Sequence, residues 1–545
     1  MSAPPRSALS RPIEAGYDVV VVGAGSGGCA VARRLVDAGA MRVLLIEAGE
    51  PGLDERAILD PAAWVPLART SWDWGHAYAP SPHLDGRVIP IPRGRALGGS
   101  SATNAMLWYR GHPADYDAWS AMGCDGWSFA ECLPFFRACE DWEGGADERR
   151  GAGGPLRIET SPDPHPIALA LIEAAAEIGL PAIDDPNGAS CEGAALANLN
   201  ISGGRRVSSA KGYLEPILDH PNLTVLTGSQ AIRLEIARGR AVGVTHLVDG
   251  APVTTAADHI VLAAGAIETP RLLMLSGIGE AGALRRLGVP VRADLPGVGR
   301  NLQDHPMVRA VNVRARTALG PVRDNGGGSV VNWRSTAAQP RPDVNAIPIQ
   351  NRSATTELAA AHDLSGELFL SGEVFAIAPG LMRSRSVGHL RLLEAKPGGA
   401  IEIQPNFLAE PADRDALVAA VRTVLDLLAT RAFAGLAGEI IAPAPRAGRA
   451  DIEAFVRIAC STYFHPVGTC AMGAGAESVV DPRLMVRGVE GLMIADASVM
   501  PVIPACNTHA PTVMIGERAA AFLLAGHGSC LDEGELPDQR AGAPT

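Results

Sequence analysis

Gly23, Gly25 and Gly28 stand in G-x-G-x-x-G spacing directly after the β-branched run Val19 to Val22. No other feature constrains the fold as much. It lies within YDVVVVGAGSGGCAVARRLVDAGAMRVLLIEAGE, Tyr17 to Glu50. A short continuous apolar run predicts a strand buried on both faces. Cys29 to Ala38 reads as a helix and Arg42 to Ile46 as a second strand, so the segment is a βαβ unit. In such a unit Gly23 permits the tight turn, Gly25 lets the backbone approach a pyrophosphate, and Gly28 lets helix and strand pack closely. The helix start offers free N–H groups and a positive dipole end to phosphates. Glu47 closes the second strand, where a carboxylate can accept hydrogen bonds from a ribose diol. The competing reading is a glycine-rich strand–helix turn of another α/β protein. Strand, helix and acid together favour a dinucleotide. Glu47 disfavours NADP, whose 2′-phosphate it would repel, but does not separate NAD from FAD.

The 545 residues exceed one ordinary core, so two or more domains are expected. A net charge of −12 argues against nucleic acid and against anionic membranes. Neither of the two lysines, Lys211 and Lys396, follows a glycine as a P-loop lysine would. The nine cysteines never form C-x-x-C, which fits a reducing, cytoplasmic setting and gives no zinc or disulfide framework; no metal site is expected. Met1 to Ala15 lacks the apolar core of a secretory signal. No run of about 18 apolar residues predicts a transmembrane helix.

Residues 1–15 read as a disordered leader. Residues 51–93 read as a long excursion over the nucleotide-binding part, with Trp64, Trp72, Trp74 and Tyr78. RGRALGGSSATNAMLWYRG, Arg93 to Gly111, is either a glycine turn into a buried helix or a second backbone cradle against a large cofactor. Helices are expected at Pro166 to Gly179, Ser208 to Leu218 and Asp413 to Thr430, and strands within Leu223 to Ile236 and at Ile260 to Leu262. From about 307 to 400 strands such as Val308 to Val313 and Glu367 to Ile377 alternate with polar loops, which predicts a mostly antiparallel sheet. Leu492 to Ala495 and Thr512 to Leu524 read as a strand and a helix of nucleotide-domain character. The second domain is therefore inserted, not appended.

Five blocks in order identify a resemblance. The Gly23 to Gly28 fingerprint, a first signature at Gly94 to Asn104, a second signature at Gly265 to Gly279, and C-terminal blocks at His465 to Gly473 and Asp496 to Glu517 resemble the motifs of the glucose–methanol–choline (GMC) flavoprotein oxidoreductases. The resemblance implies an α/β fold: a Rossmann-like FAD-binding domain interrupted by a substrate domain with a mostly antiparallel sheet. The expected bounds are 16–154, 203–306 and 478–526 for the FAD domain and 155–202 and 307–477 for the substrate domain, with flexible tails at 1–15 and 527–545. It assigns Gly23, Gly25, Ser26, Gly28 and Glu47 to the pyrophosphate and ribose. Leu97, Gly98, Ser101, Asn104 and Met106 are assigned to the flavin side, and Ala231 to the adenine. Asp496, Ala497 and Thr508 are placed near the ribityl chain and ring. Some members attach FAD through a histidine in the first signature; Thr103 stands there, so non-covalent FAD is expected.

Alcohol oxidation by a flavin needs a group to take the hydroxyl proton and donors to support the alkoxide. Histidine suits the first task because its ordinary pKa is near neutral. The resemblance makes His465, in F-H-P-V-G-T, the base, and His509, in N-T-H-A-P-T, its partner, with Asn507 left to structure or cofactor. Phe464 reads as core or as a wall of the substrate pocket. The implied activity is oxidation of a primary aryl or short aliphatic alcohol to the aldehyde, with hydride passing to flavin N5. Oxygen or an unknown carrier would be the electron acceptor. The same fold also hosts hydroxynitrile lyases and light-driven fatty-acid decarboxylases. A non-catalytic NAD-binding module is disfavoured by the tail histidines.

Overall fold

The computed structural model describes residues 13–14, 16–39, 41–361 and 372–526, with the backbone of Ala8–Leu9. Val19, Val20 and Val21 are fully buried, as a strand covered on both faces requires. They belong to β1 (Gly16–Val22), which leads into α1 (Ser26–Asp37) and β2 (Val43–Ile46). β1 and β2 pair in parallel, Val19 opposite Val43 and Val22 opposite Ile46. Leu223–Thr227 pairs in parallel beyond β2, and Ala251–Leu262 on the far side of β1. The late strand Leu492–Ile494 then pairs in parallel with Ile260 to Leu262. The chain's end thus returns to the sheet in which it began. Because these strands are parallel, Gly23, Ala263 and Ala495 all leave the sheet at one edge, the place where ligands sit in such folds.

The return is locked by packing. The terminal helix, His509–Gly526, crosses α1 so closely that a Cβ on Gly516 would stand 2.5 Å from the Gly27 carbonyl oxygen. Across the same contact Arg34 pairs with Glu517 at 2.6 Å, and the Tyr213 hydroxyl donates to Glu517. The sequence pattern started this helix at Thr512; it starts at His509, which places that residue at the helix entry.

The second sheet is antiparallel throughout, in the order Ala437–Ala442, Val311–Ala315, Val374–Leu381, Val344–Ile349, Ser329–Trp333, Gly193–Leu196. Pro306–Val308 joins Val374–Leu381 to Cys460–Thr462, the strand that ends just before His465.

Several local expectations need correction. Val308 to Val313 is not one strand: it breaks at Ala310, whose φ of 100° no ladder accommodates. The Ser208 to Leu218 helix is two short turns, Ala210–Leu214 and Glu215–Ile217. Ala8–Leu9 is not a free leader, since its backbone pairs with Leu226 and Thr227. Residues 367–371 of the expected Glu367 strand, and the tail 527–545, lie outside the described residues. No described helix is long and apolar enough to cross a membrane. Among the described residues no group of three or more His, Cys, Asp or Glu is placed to hold a metal.

Candidate active site

A cavity of about 600 Å³ opens between the two sheets. Its floor is the edge where the parallel strands end. Gly23 needs its φ of 99°, and a Cβ there would meet the Ala263 carbonyl oxygen at 2.5 Å. A Cβ on Gly28 would meet the Gly23 oxygen at 2.0 Å. Gly25 is different: its nearest protein atom would be 3.6 Å away, so the missing side chain keeps the cavity open and not the core packed. No side chain caps α1, and no acid occupies its first turn. Its amide groups are therefore available to an anion. Gly98 donates its N–H to Ala24 O at 2.7 Å, and a Cβ on Gly99 would stand 2.8 Å from Gly25 Cα. The first signature is thus pressed against the fingerprint loop as one backbone cradle. These features fit a dinucleotide.

Glu47 holds that loop as well as facing the cavity. Its carboxylate accepts from Ala24 N at 3.0 Å and Gly49 N at 2.8 Å. Burial pushes its pKa up to about 7, against the lowering effect of those N–H groups. Asp496 accepts from Gly265 N, the Thr269 hydroxyl and Ser498 N, so it ties the second signature to the C-terminal block.

Gly23, Gly25, Ser26, Glu47, Ser101, Asn104, Ala231, Asp496, Ala497 and Thr508 line the cavity, as do Phe464, His465 and His509. Gly28, Leu97, Gly98 and Met106 do not line it. Gly28 and Gly98 shape the cradle from behind, while Leu97 and Met106 are buried in the packing around it. Arg206, which sequence reasoning passed over, is also buried and donates to Ile58 O and to the backbone and side-chain oxygens of Asn104.

His465 is held from three sides. Asp304 accepts its backbone N–H at 2.8 Å and also the Tyr78 and Thr462 hydroxyls. Phe464, just before it, takes a φ of 68°, costly for an aromatic residue. Thr462 Oγ1 accepts its N–H and Arg93 donates to its carbonyl, which fixes that conformation. The Tyr463 ring stacks on the imidazole, centroids 5.0 Å apart. Nδ1 of His465 lies 3.0 Å from Nδ1 of His305, and Nε2 lies 3.2 Å from Nδ2 of Asn507. An amide NH₂ only donates, so Nε2 is the acceptor and the neutral ring carries its proton on Nδ1, toward His305. Burial first, then His305 and Arg93, hold the His465 pKa well below the usual range.

The expected pairing of His465 with His509 is corrected here. Asn507 is the residue bonded to His465. His509 gives its ring nitrogens to Ser209 Oγ and Asn200 Oδ1, both at 3.1 Å, with its ring edge-on to Trp108. The helix begins at His509, so the ring projects from the helix entry, whereas Asn507 still lies in the loop. Burial, aided by Arg206, lowers its pKa to about 3. Sequence reasoning also missed His305; its only signal was D-H-P at 304–306, where the chain crosses into the second sheet.

A dinucleotide cradle under a buried, neutral imidazole defines an oxidoreductase site of the flavin type. Two domain models of the GMC oxidoreductase family match the chain, over residues 17–307 and 384–516. Mitochondrial choline dehydrogenase of Homo sapiens is 38% identical over 542 residues, covering 93% of this chain and 89% of its own. The crystal structure of pyridoxine 4-oxidase from Mesorbium loti is similar with a TM-score of 0.87 and 34% identity, over 92% of this chain and 98% of that one. A formate oxidase of Aspergillus oryzae RIB40 reaches 0.85 at 27% identity, over 94% and 99%. The chain belongs to the GMC oxidoreductase family. It is a FAD-dependent oxidoreductase acting on CH–OH donors.

Proposed function

We propose that the protein oxidises a primary alcohol, aryl or short aliphatic, to the aldehyde, with His465 as the base. FAD, when bound, supplies the hydride acceptor. The chain's residues do the rest. Nε2 of His465 carries the basic lone pair on the cavity side, and a depressed pKa keeps it neutral. It takes the hydroxyl proton as the carbinol hydrogen leaves. Asp304 fixes the His465 backbone, Tyr463 stacks on the ring, and His305 accepts from Nδ1 and so sets the tautomer. Asn507 donates to Nε2 in the free enzyme and to the developing alkoxide once substrate arrives. His509 and Phe464 are assigned to the wall.

The observation that carries this reading is the fixed, neutral His465 at the wall of the cavity. Thr103, which also lines it, offers no imidazole for a covalent link, so FAD is held non-covalently in this reading. The eight described cysteines are free thiols, which supports a reducing, cytoplasmic setting. The test is anaerobic mixing of the holoenzyme with a panel of alcohols. Bleaching of the visible flavin band within the mixing experiment supports oxidation; no bleaching by any of them rejects it. Repeating turnover with and without an artificial acceptor distinguishes oxygen from a carrier as the electron acceptor.

A further inference from the structure

Arg309 stands at the break between Pro306–Val308 and Val311–Ala315. Ala310 turns the chain there with a φ of 100°, and Arg309 N–H is spent on Ala459 O. Its side chain leaves the ladder for the cavity, where the guanidinium carbon lies 4.8 Å from the centroid of the Phe464 ring. Phe464 directly precedes the base in the chain, and Arg309, Phe464 and His465 all line the same cavity.

The nearby cations are engaged. Arg93 donates to the carbonyls of Pro92 and Phe464 and feels the charges of Asp304 and Asp73. Arg87 donates to the carbonyls of Arg457 and Cys460 and approaches Glu357 at 3.8 Å. Arg309 differs: among the described residues no carboxylate faces it. Burial alone draws its pKa down to about 10, so it stays protonated at neutral pH. Arg309 is half-buried in the cavity wall; a partly desolvated cation without a counter-ion is costly, and the face of one ring offsets only part of that cost. A guanidinium fork matches a carboxylate in two parallel hydrogen bonds.

We propose that Arg309 is the anion-binding residue of the substrate pocket and that the alcohol oxidised here carries a carboxylate. This rests on the alcohol-oxidation reading above and sharpens it. The hydroxyl proton goes to His465, the carbinol hydride to bound FAD, and the carboxylate on Arg309 is unchanged. Cationic alcohols are disfavoured twice: Arg309 repels them and already covers the ring face that would attract them. Choline, the substrate in the human relative's name, is such a cation.

The test uses holoenzyme under anaerobic conditions. Flavin reduction by 4-(hydroxymethyl)benzoate is compared with benzyl alcohol, and by 3-hydroxypropanoate with 1-propanol. In at least one pair the acid should have the larger second-order rate constant by tenfold or more. In R309M that ratio should fall tenfold or more, with R309K between. Equal loss on acid and neutral alcohol, or an unchanged ratio, overturns the proposal. Binding is read separately by titrating wild-type holoenzyme with benzoate and with benzyltrimethylammonium and following the flavin spectrum. Benzoate should bind at least tenfold more tightly, and equal or reversed affinities overturn the proposal even if the variants fail to fold. If no alcohol reduces the flavin yet benzoate binds and R309M abolishes that binding, the alcohol-oxidation reading fails while the anion site stands.

Discussion

Nε2 of His465 lies 3.2 Å from the side-chain nitrogen of Asn507, while both ring nitrogens of His509 are engaged elsewhere, by Ser209 and Asn200. The two tail residues therefore have separable roles. His465→Ala should slow anaerobic flavin reduction by roughly a hundredfold or more, the scale of a lost general base. Asn507→Ala removes one donor and should cost about tenfold. His509→Ala should cost less than Asn507→Ala in that step. A larger loss in His509→Ala would show that its ring turns from Ser209 to the substrate. Because burial depresses the His465 pKa, the acid limb of kcat/KM should lie below pH 6.5, the ordinary histidine value. Stopped-flow reduction reads the step directly, since reoxidation can mask it in turnover.

Glu47 carries a testable pH signature. Its pKa in the free site is raised to about 7 by burial, and only the carboxylate accepts two ribose donors. FAD affinity of the apoprotein should therefore rise as pH increases through about 7 and level off above it. Glu47→Gln should flatten that dependence, and Glu47→Ala should weaken binding by about 1–3 kcal/mol, the scale of charge-assisted hydrogen bonds. Equilibrium titration with FAD checks both. An unchanged affinity in Glu47→Ala would remove Glu47 from the ribose.

Thr103 fixes a prediction about the cofactor link. It faces the cavity from the first signature and has no nucleophilic ring. Acid precipitation of the purified protein should leave the yellow colour in the supernatant. Colour retained in the pellet would mean that another side chain holds FAD covalently.

What the sequence made legible follows from what each pattern reports. The Val19 to Val22 run and the glycine spacing are local, and β1, α1 and the Gly23 turn follow from them within a few residues. The antiparallel second sheet was also readable, because short apolar strands alternate there with polar and glycine-rich loops. Side-chain pairing was not. Position in a motif brings His465, Asn507 and His509 to one cavity, but the helix entry at His509 decides which of the last two meets His465. His305 depends on a contact across 160 positions, which no local pattern carries. Arg309 was invisible for a related reason: its exit from the ladder depends on a strand break at Ala310, and Val308 to Val313 had read as one continuous strand.

Three neutral histidines in one core make the protein acid-sensitive in a way that can be counted. His305 and His509 are held near a pKa of about 3, and His465 well below its usual value, in each case chiefly by burial. In the unfolded chain each returns to about 6.5. Below that pH the unfolded state binds a proton at each site that the folded state does not. Stability from this source is therefore complete above pH 6.5 and falls by about 1.4 kcal/mol per pH unit per histidine on acidification, down to the folded pKa. Glu47, Asp304 and Asp496 act with the opposite sign, because burial raises their pKa values and the folded state keeps protons that the unfolded state releases. The net slope in the wild type is a sum, so one histidine must be isolated by difference. His305→Gln keeps a polar group beside His465 but cannot titrate in this range. Between pH 6 and 4.5 its unfolding free energy should depend on pH by one proton less than that of the wild type. Denaturant unfolding of both proteins, followed by tryptophan fluorescence across that range, measures the difference. Parallel curves would mean that His305 is protonated in the folded protein, and His465 would then lack the neutral acceptor that sets its tautomer.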